Sequence, residues 1–557
     1  SGVPVKGMPP IYKQLLLWYN QKTNDIGGNM KKLVTLLFAF ALLVLPACAA
    51  TKDPSPPEDT IVDSTQDPFL EEDDIVDSTQ DIVIDFAAFL EERNAAHKVQ
   101  LDEKYTEEFF KTYGPDFYEE LNLVSKEEAA LLLSTPENDS LQTPYPKADI
   151  LEDVDLLFRV FKSFYGPYYY YGGDEAFEAA KARIETEINA VSDQLTLEDV
   201  IAILSKNLFF IKDRHMNIGP ELLCETNKIA VHDYYVENLW LYEDDAGYYT
   251  KKEGRKWYLS SVGSDENVNE YLKVTIDEKG QLCYMLGLTV PVDDARLSLD
   301  AITLCRGERI AGIPIVWTEF SARAGYSLEE TITVKDGIPL LETVPRPLRN
   351  YSGEEEEAAQ NRLRNMGKDI LTQDVVIVNL NSGCGWQSLF ESIDHQIHAL
   401  AMFRLSKTAE QLGRRNMPWQ EGNYGEYVVR YFSGKWGEND KLIFAVQDRG
   451  NFSATEDTIA DIRSIENVVL VGGSTGGTAG PGAGTNQQMF LPRTGLPVHF
   501  GASLMIDPGY TEDGYCFDPD IWIDPDDAVD AIYRMCQFYG ISNTADTAAL
   551  DKYISAS

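Results

Sequence analysis

Ser453 lies where a strand, a loop and a helix could together present a reactive hydroxyl group. The apolar run Leu442–Val446 predicts a buried strand, and a polar loop follows it before a helical pattern begins at Ala454. A serine at a helix start can attack a carbonyl carbon, and the N–H group of Ala454 would then face the oxyanion. The simpler interpretation is a helix cap, with Glu456 completing a capping box. Spacing alone favours the cap.

Apolar strands and helical patterns alternate around this segment, which predicts an α/β domain over residues 346–545. Strands are predicted at Val375–Asn379 and Val468–Val471, and helices around Trp386–Leu405 and over Ala454–Ile465. Reactive residues in such domains lie where strands end and helices begin, because the first N–H groups of a helix are free to bind anionic groups.

Two further regions precede this domain and have different patterns. Apolar residues at helical spacing predict a helical domain over 82–222. Short strand-like runs separated by Asp, Gly and Lys turns predict an antiparallel β module over 223–345. The predicted fold class is therefore α+β and multidomain. The helices predicted in the first region are Ile82–Arg93, Glu107–Leu123, Lys126–Leu133, Leu151–Tyr165, Asp174–Val191 and Leu197–Phe210.

The charge of the chain excludes one class of partner. The chain has 48 Lys and Arg residues and 90 Asp and Glu residues, which gives a net charge of −42 over 557 residues. Nucleic-acid binding depends on Lys and Arg that displace counterions, so nucleic acid is not expected as a partner. A protein that crosses the membrane many times is also excluded, because only one long apolar run is present.

That apolar run, Leu33–Leu45, follows Met30 and two lysines and ends in small residues. These parts predict a bacterial secretory signal over 30–47. The tetrad ending at Cys48 resembles a lipobox, in which the cysteine is lipidated and becomes the new N-terminus. The alternatives are an ordinary cleaved signal or a plain anchoring helix. The predicted location is the extracytoplasmic face of the cell membrane, with a lipid anchor on Cys48.

The residues on either side of the signal are not expected to join the folded part. Residues 1–29 precede Met30 and are interpreted as a mis-assigned start or leader. Residues 48–81 are acidic and Pro-rich, and Ile61–Asp67 recurs as Ile75–Asp81. Low hydrophobicity combined with high charge predicts a disordered tether.

The chain shows no spacing that predicts a metal or a cofactor. Its seven cysteines include no Cys-x-x-Cys pair and no zinc spacing, so buried free thiols are expected. Gly472–Gly476 fits the Gly-x-Ser-x-Gly pattern of α/β-hydrolases around Ser474. That fold needs an acid and then a histidine downstream, and no acid lies between Ser474 and His499, the one later histidine.

The segment around Ser453 resembles the nucleophile turn of the tail-specific, or C-terminal-processing, serine proteases, peptidase family forty-one, which includes the tricorn protease. Their pattern, Thr-x-Ser-Ala-x-Glu, is matched by Asn451–Glu456 at all but the first position. Val468–Gly477 is similar to the family's next strand and Gly-rich loop, and Asp518–Ile521 to its closing Pro-Asp-Ile element. The resemblance spans roughly 145–540, with gaps. It implies a ClpP/crotonase-like third domain and cleavage of polypeptides through an acyl-enzyme on Ser453.

The resemblance also implies which base activates the serine. One subtype of the family places a Lys in the Gly-rich loop, but residues 472–484 contain none. The tricorn-like subtype uses a His in an Asp-Gly-His-Thr-like turn after a helix, and Phe209–Ile218 is similar to that turn. His215 is therefore the implied general base, a role that imidazole can fill near neutral pH. Arg214 and Met216 replace the usual Gly and Thr.

The same resemblance implies the remaining parts of the site. Glu512 and Asp513 precede Pro519 by seven and six residues, where this subtype places the acid that orients the histidine. Either of the two could be that acid. Gly383 or Gly385, after the strand Val375–Asn379, is implied as an oxyanion donor beside Ala454. The charged pair of the family's strand end is missing there. The alternative function is therefore a catalytically degenerate lipoprotein that binds peptides or cell-wall material.

Lipidation at Cys48 can be tested by fractionating cells. In a Gram-positive host the protein should be membrane-associated, and Cys48→Ala should release it because the modified side chain is lost. Cys305→Ala is the matched control and should stay with the membrane. Wild-type protein found soluble in the cytoplasm would contradict the prediction.

Overall fold

The computed structural model describes seventeen ranges of the chain, and all statements below concern these residues. Contacts divide the chain into a unit over Ser1–Leu70, which lies outside these ranges, and a unit over Glu71–Ser557. The predicted leader, the signal, Cys48 and the whole of the tether lie outside the described residues. The ranges are 83–100, 112–113, 122–136, 141–191, 193–228, 230–320, 330–343, 353–380, 389–396, 399–403, 406–412, 423–424, 427–432, 434–477, 482–483, 486–506 and 516–554.

The described helices and strands are numbered here in chain order. The helices are α1 (Phe86–Gln100), α2 (Lys126–Leu132), α3 (Lys147–Phe164), α4 (Gly173–Ala190), α5 (Leu197–Asn207), α6 (Leu223–Thr226), α7 (Gly353–Ile370), α8 (Lys407–Gln411), α9 (Ala454–Ile462) and α10 (Ala528–Tyr539). The first fifteen strands are β1 (Pro144–Pro146), β2 (Gln194–Thr196), β3 (Asn217–Ile218), β4 (Glu221–Leu222), β5 (Val231–Val236), β6 (Tyr242–Asp244), β7 (Gly247–Lys252), β8 (Arg255–Val262), β9 (Leu272–Ile276), β10 (Leu282–Pro291), β11 (Ala301–Arg306), β12 (Arg309–Pro314), β13 (Trp317–Glu319), β14 (Thr331–Lys335) and β15 (Ile338–Glu342). The others are β16 (Val375–Asn379), β17 (Ala399–Phe403), β18 (Asn423–Tyr424), β19 (Tyr427–Phe432), β20 (Leu442–Gln447), β21 (Val468–Gly472), β22 (Gly482–Ala483), β23 (Asn486–Phe490), β24 (Pro497–Gly501), β25 (Ser503–Ile506) and β26 (Ile521–Trp522).

A six-stranded mixed sheet forms the centre of the α/β part, in the order β14-β15-β16-β20-β21-β26. Its strands from β15 to β26 are parallel, and β14 is antiparallel to β15. Both faces of β16, β20 and β21 are buried, which explains why these strands are continuous apolar runs in the sequence. Helices α7 and α9 cover one face, and α1 and α10 cover the other.

The parallel strands place several loops at one edge of this sheet. Strands β16, β20 and β21 are paired in register, so Asn379, Val446 and Val471 lie side by side near their carboxyl ends. In open α/β sheets this edge is where functional groups gather. The loop after β20, which leads to Ser453, and the Gly-rich loop after β21 therefore lie next to each other.

Helices α3, α4 and α5 form a separate apolar core with elements from the far end of the chain. Phe161 and Phe164 of α3 contact Phe500 of β24, with ring centroids 4.9 and 6.0 Å apart. Ala409 of α8 and Met489 of β23 belong to the same core. The packing therefore joins residues of the predicted helical domain to residues of the predicted α/β domain, and the domain boundaries stay a prediction.

Two antiparallel sheets follow the helical part. One has four strands in the order β13-β5-β10-β9, and the other has five in the order β12-β11-β8-β7-β6. They contain most of the strands in the region where an antiparallel module was expected. Strand β14, which lies in the same region, pairs with β15 in the mixed sheet instead. The fold is thus mixed α and β with several antiparallel sheets.

The helix predicted around Trp386–Leu405 is wrong in its described part. Ala399–Phe403 forms β17, which pairs antiparallel with β19 and with β25. Ala, Leu and Met are strong helix formers, but helix propensity is a small effect that tertiary context overrides, and here the ladders on both sides of β17 pair its backbone groups. A short apolar run of this kind is ambiguous in a sequence.

Three structural findings bear on the membrane, metal and thiol expectations. None of the helices in the described ranges combines the length and apolar character needed to span a bilayer. Among the same residues, no group of three or more His, Cys, Asp and Glu is arranged to hold a metal ion. The five described cysteines are free thiols, and four of them are buried.

Candidate active site

Ser453 ends the loop between β20 and α9 in a backbone conformation that is rare for a residue with a side chain. Its φ is 55° and its ψ is −124°. Such conformations cost free energy and persist where the surroundings fix them. Here buried Asn451 anchors the loop, because its side chain accepts the Asp448 N–H group at 2.7 Å and donates to the Leu380 carbonyl oxygen at 2.7 Å.

Glu456, in the first turn of α9, connects Ser453 to the Gly-rich loop. Its fully buried carboxylate accepts the Ser453 N–H group at 3.2 Å, the Gly477 N–H group at 2.8 Å and the Thr475 hydroxyl. The capping box predicted between Ser453 and Glu456 is thus present. One buried acceptor that holds three donors from two loops fixes those loops relative to each other.

Gly476 allows the Gly-rich loop to lie close to the loop that carries Ser453. The Gly476 N–H group donates to the Asn451 carbonyl oxygen at 2.7 Å. A Cβ atom on Gly476 would lie 2.7 Å from the Arg449 carbonyl oxygen and 2.8 Å from the Phe452 Cβ atom. Any larger side chain at this position would therefore push the two loops apart.

His215 lies in the turn that joins α5 to β3. Helix α5 begins with a capping box between Thr196 and Asp199, and its core face packs against α4. After the turn, β3 pairs antiparallel with β24, with Asn217 opposite His499. The turn is therefore held between the helical core and a strand that lies almost three hundred residues later in the chain.

The structure brings the two predicted reactive side chains together. His215 Nε2 lies 3.1 Å from Ser453 Oγ, a hydrogen-bonding distance between residues 238 positions apart. The imidazole is 21% exposed, so a substrate can reach the pair. Ala454 is the first residue of α9, where an N–H group has no partner within its own helix. Glu512, Asp513, Gly383 and Gly385 lie outside the described residues, and their roles stay predictions.

Asp213 and His499 lie near the pair and were not singled out from the sequence. Asp213 Oδ1 is 3.9 Å from His215 Nδ1, and the carboxylate is fully buried. The pKa of His499 is lowered, mainly by burial and also by the charge of His215, while Asp213 acts in the opposite direction. The Asp of the family's histidine turn could have pointed to Asp213. No local signal marks His499, because only the β3–β24 pairing brings it near.

Ser474, the serine of the alternative nucleophile pattern, has a different environment. Its side chain is buried, and its hydroxyl faces Asp233 Oδ1 at 2.8 Å and Asp518 Oδ1 at 3.0 Å. Burial, and then the charge of Asp518, raises the pKa of Asp233 to about 6. Among the described residues no imidazole lies within hydrogen-bonding distance of this hydroxyl, so the serine is a structural link between β5 and the Gly-rich loop.

Among known proteins, the chain matches solved structures but no family model and no curated sequence. The chain is similar to mature CPAF (10% identity over 71% of this chain and 96% of that chain, TM-score 0.35). It is also similar to a putative peptidase from Parabacteroides merdae (13% identity, 70% and 96%, TM-score 0.34) and to the photosystem II D1 C-terminal processing protease (11% identity, 73% and 99%, TM-score 0.30).

These neighbours include a C-terminal processing protease, the class that the sequence motifs resemble. At such identities and TM-scores the similarity is distant. Any function must therefore be argued from the residues of this chain.

Replacing Glu456 tests whether its carboxylate joins the two loops. Glu456→Gln puts an N–H₂ group where three donors converge, which should leave a buried donor unpaired and lower the free energy of unfolding by about 1–3 kcal/mol. Urea denaturation measures the change. The control is Glu178→Gln on the exposed face of α4, which should change stability little. Equal stabilities of the two variants would contradict the joining role.

Proposed function

We propose that this protein is an extracytoplasmic serine peptidase that cleaves polypeptides with Ser453 as nucleophile and His215 as general base. The observation that carries the proposal is the distance of 3.1 Å between His215 Nε2 and Ser453 Oγ. The two side chains come from distant parts of the sequence and meet at the carboxyl edge of the parallel strands. A nucleophile within hydrogen-bond reach of a base is the arrangement that acyl transfer requires.

The proposed reaction has two halves. Ser453 Oγ attacks the scissile carbonyl carbon while His215 Nε2 takes the hydroxyl proton, and the carbonyl oxygen becomes an oxyanion. The N–H group of Ala454, with Gly383 or Gly385 as the predicted second donor, would stabilise that charge. When the C–N bond breaks, His215 returns the proton to the leaving amine. Water then attacks the acyl-enzyme with the same base, which releases the carboxylic acid and restores Ser453.

The strained backbone of Ser453 supports this role over a purely capping one. A serine that only capped α9 could adopt the ordinary extended conformation of a helix cap. At φ 55° the loop instead places the side chain beside His215. The capping and catalytic interpretations are also compatible, because the backbone N–H group of Ser453 contacts Glu456 while its hydroxyl faces the imidazole.

The proposed location and partners come from the sequence. The lipobox-like tetrad at Cys48 and the acidic segment after it support a lipoprotein held at the outer face of the cell membrane. The substrate would be a polypeptide, and the chemistry needs no cofactor. The competing function is a lipoprotein of the same fold that binds peptides without cleaving them.

Single and double replacements test the enzyme directly. Ser453→Ala and His215→Ala should each lower kcat for hydrolysis of a fluorogenic protein substrate by several orders of magnitude. The double variant should be hardly worse than either single one, because the two groups act as one unit. The matched control is Ser264→Ala in an exposed turn, which should keep full activity.

Two outcomes would contradict the assignment. If His215→Ala kept near-normal turnover while Ser453→Ala was dead, another base would serve the serine. If the wild type cleaved nothing but bound peptides, and Ser453→Ala bound them equally well, the binding lipoprotein would be favoured. Circular dichroism of each variant would show that the losses do not come from unfolding.

A further inference from the structure

We propose that Asp213 is a positioning residue for His215, so that the turn that carries the base also carries a carboxylate that holds the backbone of His215 and balances the charge that its ring acquires. This inference rests on the proposed function and adds a residue to that site. It does not depend on which of Glu512 and Asp513 takes part.

Both oxygens of the Asp213 carboxylate are fixed. Oδ1 accepts the backbone N–H group of His215 at 2.9 Å, and Oδ2 accepts the hydroxyl of Tyr165 at 2.8 Å. The side chain has no exposed surface, and Tyr165 is itself fully buried in the helical core. The carboxylate therefore has a defined place relative to the ring, set by α3 on one side and by the turn on the other.

The distance to the ring decides what the carboxylate can do. Oδ1 lies 3.9 Å from His215 Nδ1, which is too long for a hydrogen bond but short for two charges. A buried charge is weakly screened, so at this distance the carboxylate attracts the positive charge that the ring acquires during the proposed reaction. The ring becomes protonated when Ser453 gives up its hydroxyl proton, and the carboxylate therefore stabilises that step.

Three neighbouring groups bear on the charge of the Asp213 carboxylate. Burial, and then the charge of Asp213, raises the pKa of Tyr165 well above its ordinary value, so the phenol keeps its proton and remains a donor. His499, on β24, faces the same pair, and burial lowers its pKa so that it is neutral near pH 7. The guanidinium group of Arg214 lies 3.8 Å from Glu225, which offsets its charge.

The test replaces the charge and keeps the shape. Asp213→Asn keeps an oxygen that can accept the His215 N–H group. Loss of the charge should make the protonated ring about ten times less favourable, which corresponds to about one pH unit. The acid limb of kcat/KM against pH should therefore move to lower pH by about one unit, and kcat should fall about tenfold. A residue that merely supported the turn would lower activity without moving the limb.

A second readout does not need activity. With histidine labelled at ¹³Cε1, the chain has six ring signals, and His215→Ala identifies the one of interest by its loss. The titration midpoint of that signal should also move to lower pH in Asp213→Asn. If the folded variant leaves both the acid limb and the signal's midpoint unchanged, the proposal is overturned.

A third variant and a labelling control complete the design. If Asp213→Asn does not fold, Tyr165→Phe takes its place. The carboxylate then loses a hydrogen-bond donor, so it attracts the charged ring more strongly and the titration midpoint of His215 should rise. An unchanged or lower midpoint would contradict the proposal.

Reaction of Ser453 with a fluorophosphonate reports on the proposed function by itself. An unlabelled wild type with the predicted midpoint shift would reject the peptidase and retain the charge pairing.

Discussion

The contact between the turn after α5 and the loop after β20 is the constraint on which the site depends. The two segments lie 238 positions apart, and the pair forms only if the helical core and the parallel sheet keep a fixed relation. Phe500 and His499 of β24 provide part of that relation, since one side of the strand packs on α3 while its edge pairs with β3. An error of about 1 Å in this relation would cost a large part of the rate of the proposed reaction, because reacting groups must be aligned to be effective.

Buried carboxylates hold the loops that the sheet brings together. Glu456 connects Ser453 to the Gly-rich loop, Asp233 connects β5 to Ser474, and Asp213 connects the histidine turn to α3. Each has several hydrogen-bond donors, which is the condition under which a buried charge is tolerated. Their arrangement also separates the two serines of the region, since Ser453 faces an imidazole and Ser474 faces two carboxylates.

The sequence predicted the parts of this architecture that local pattern determines. Strands β16, β20 and β21 could be recognised because burial on both faces leaves a continuous apolar run, and helices α3 to α5 because their apolar residues recur at helical spacing. The helix expected around Trp386–Leu405 failed because the run Ala399–Phe403 suits either structure, and its neighbours β19 and β25 decide between them. The Asp of the family's histidine turn could have pointed to Asp213, but its proposed contribution depends on the distance from Nδ1 and on Tyr165, which only the folded chain provides.

Reaction with a fluorophosphonate, mapped by mass spectrometry, tests the central claim most directly, because the reagent modifies a serine only where a base and an oxyanion site activate it. The modified peptide should contain Ser453, Ser453→Ala and His215→Ala should remain unmodified, and Ser474→Ala should be modified as the wild type is. Wild-type protein that stays unmodified at every pH tested, or a modification that maps to Ser474, would contradict the account.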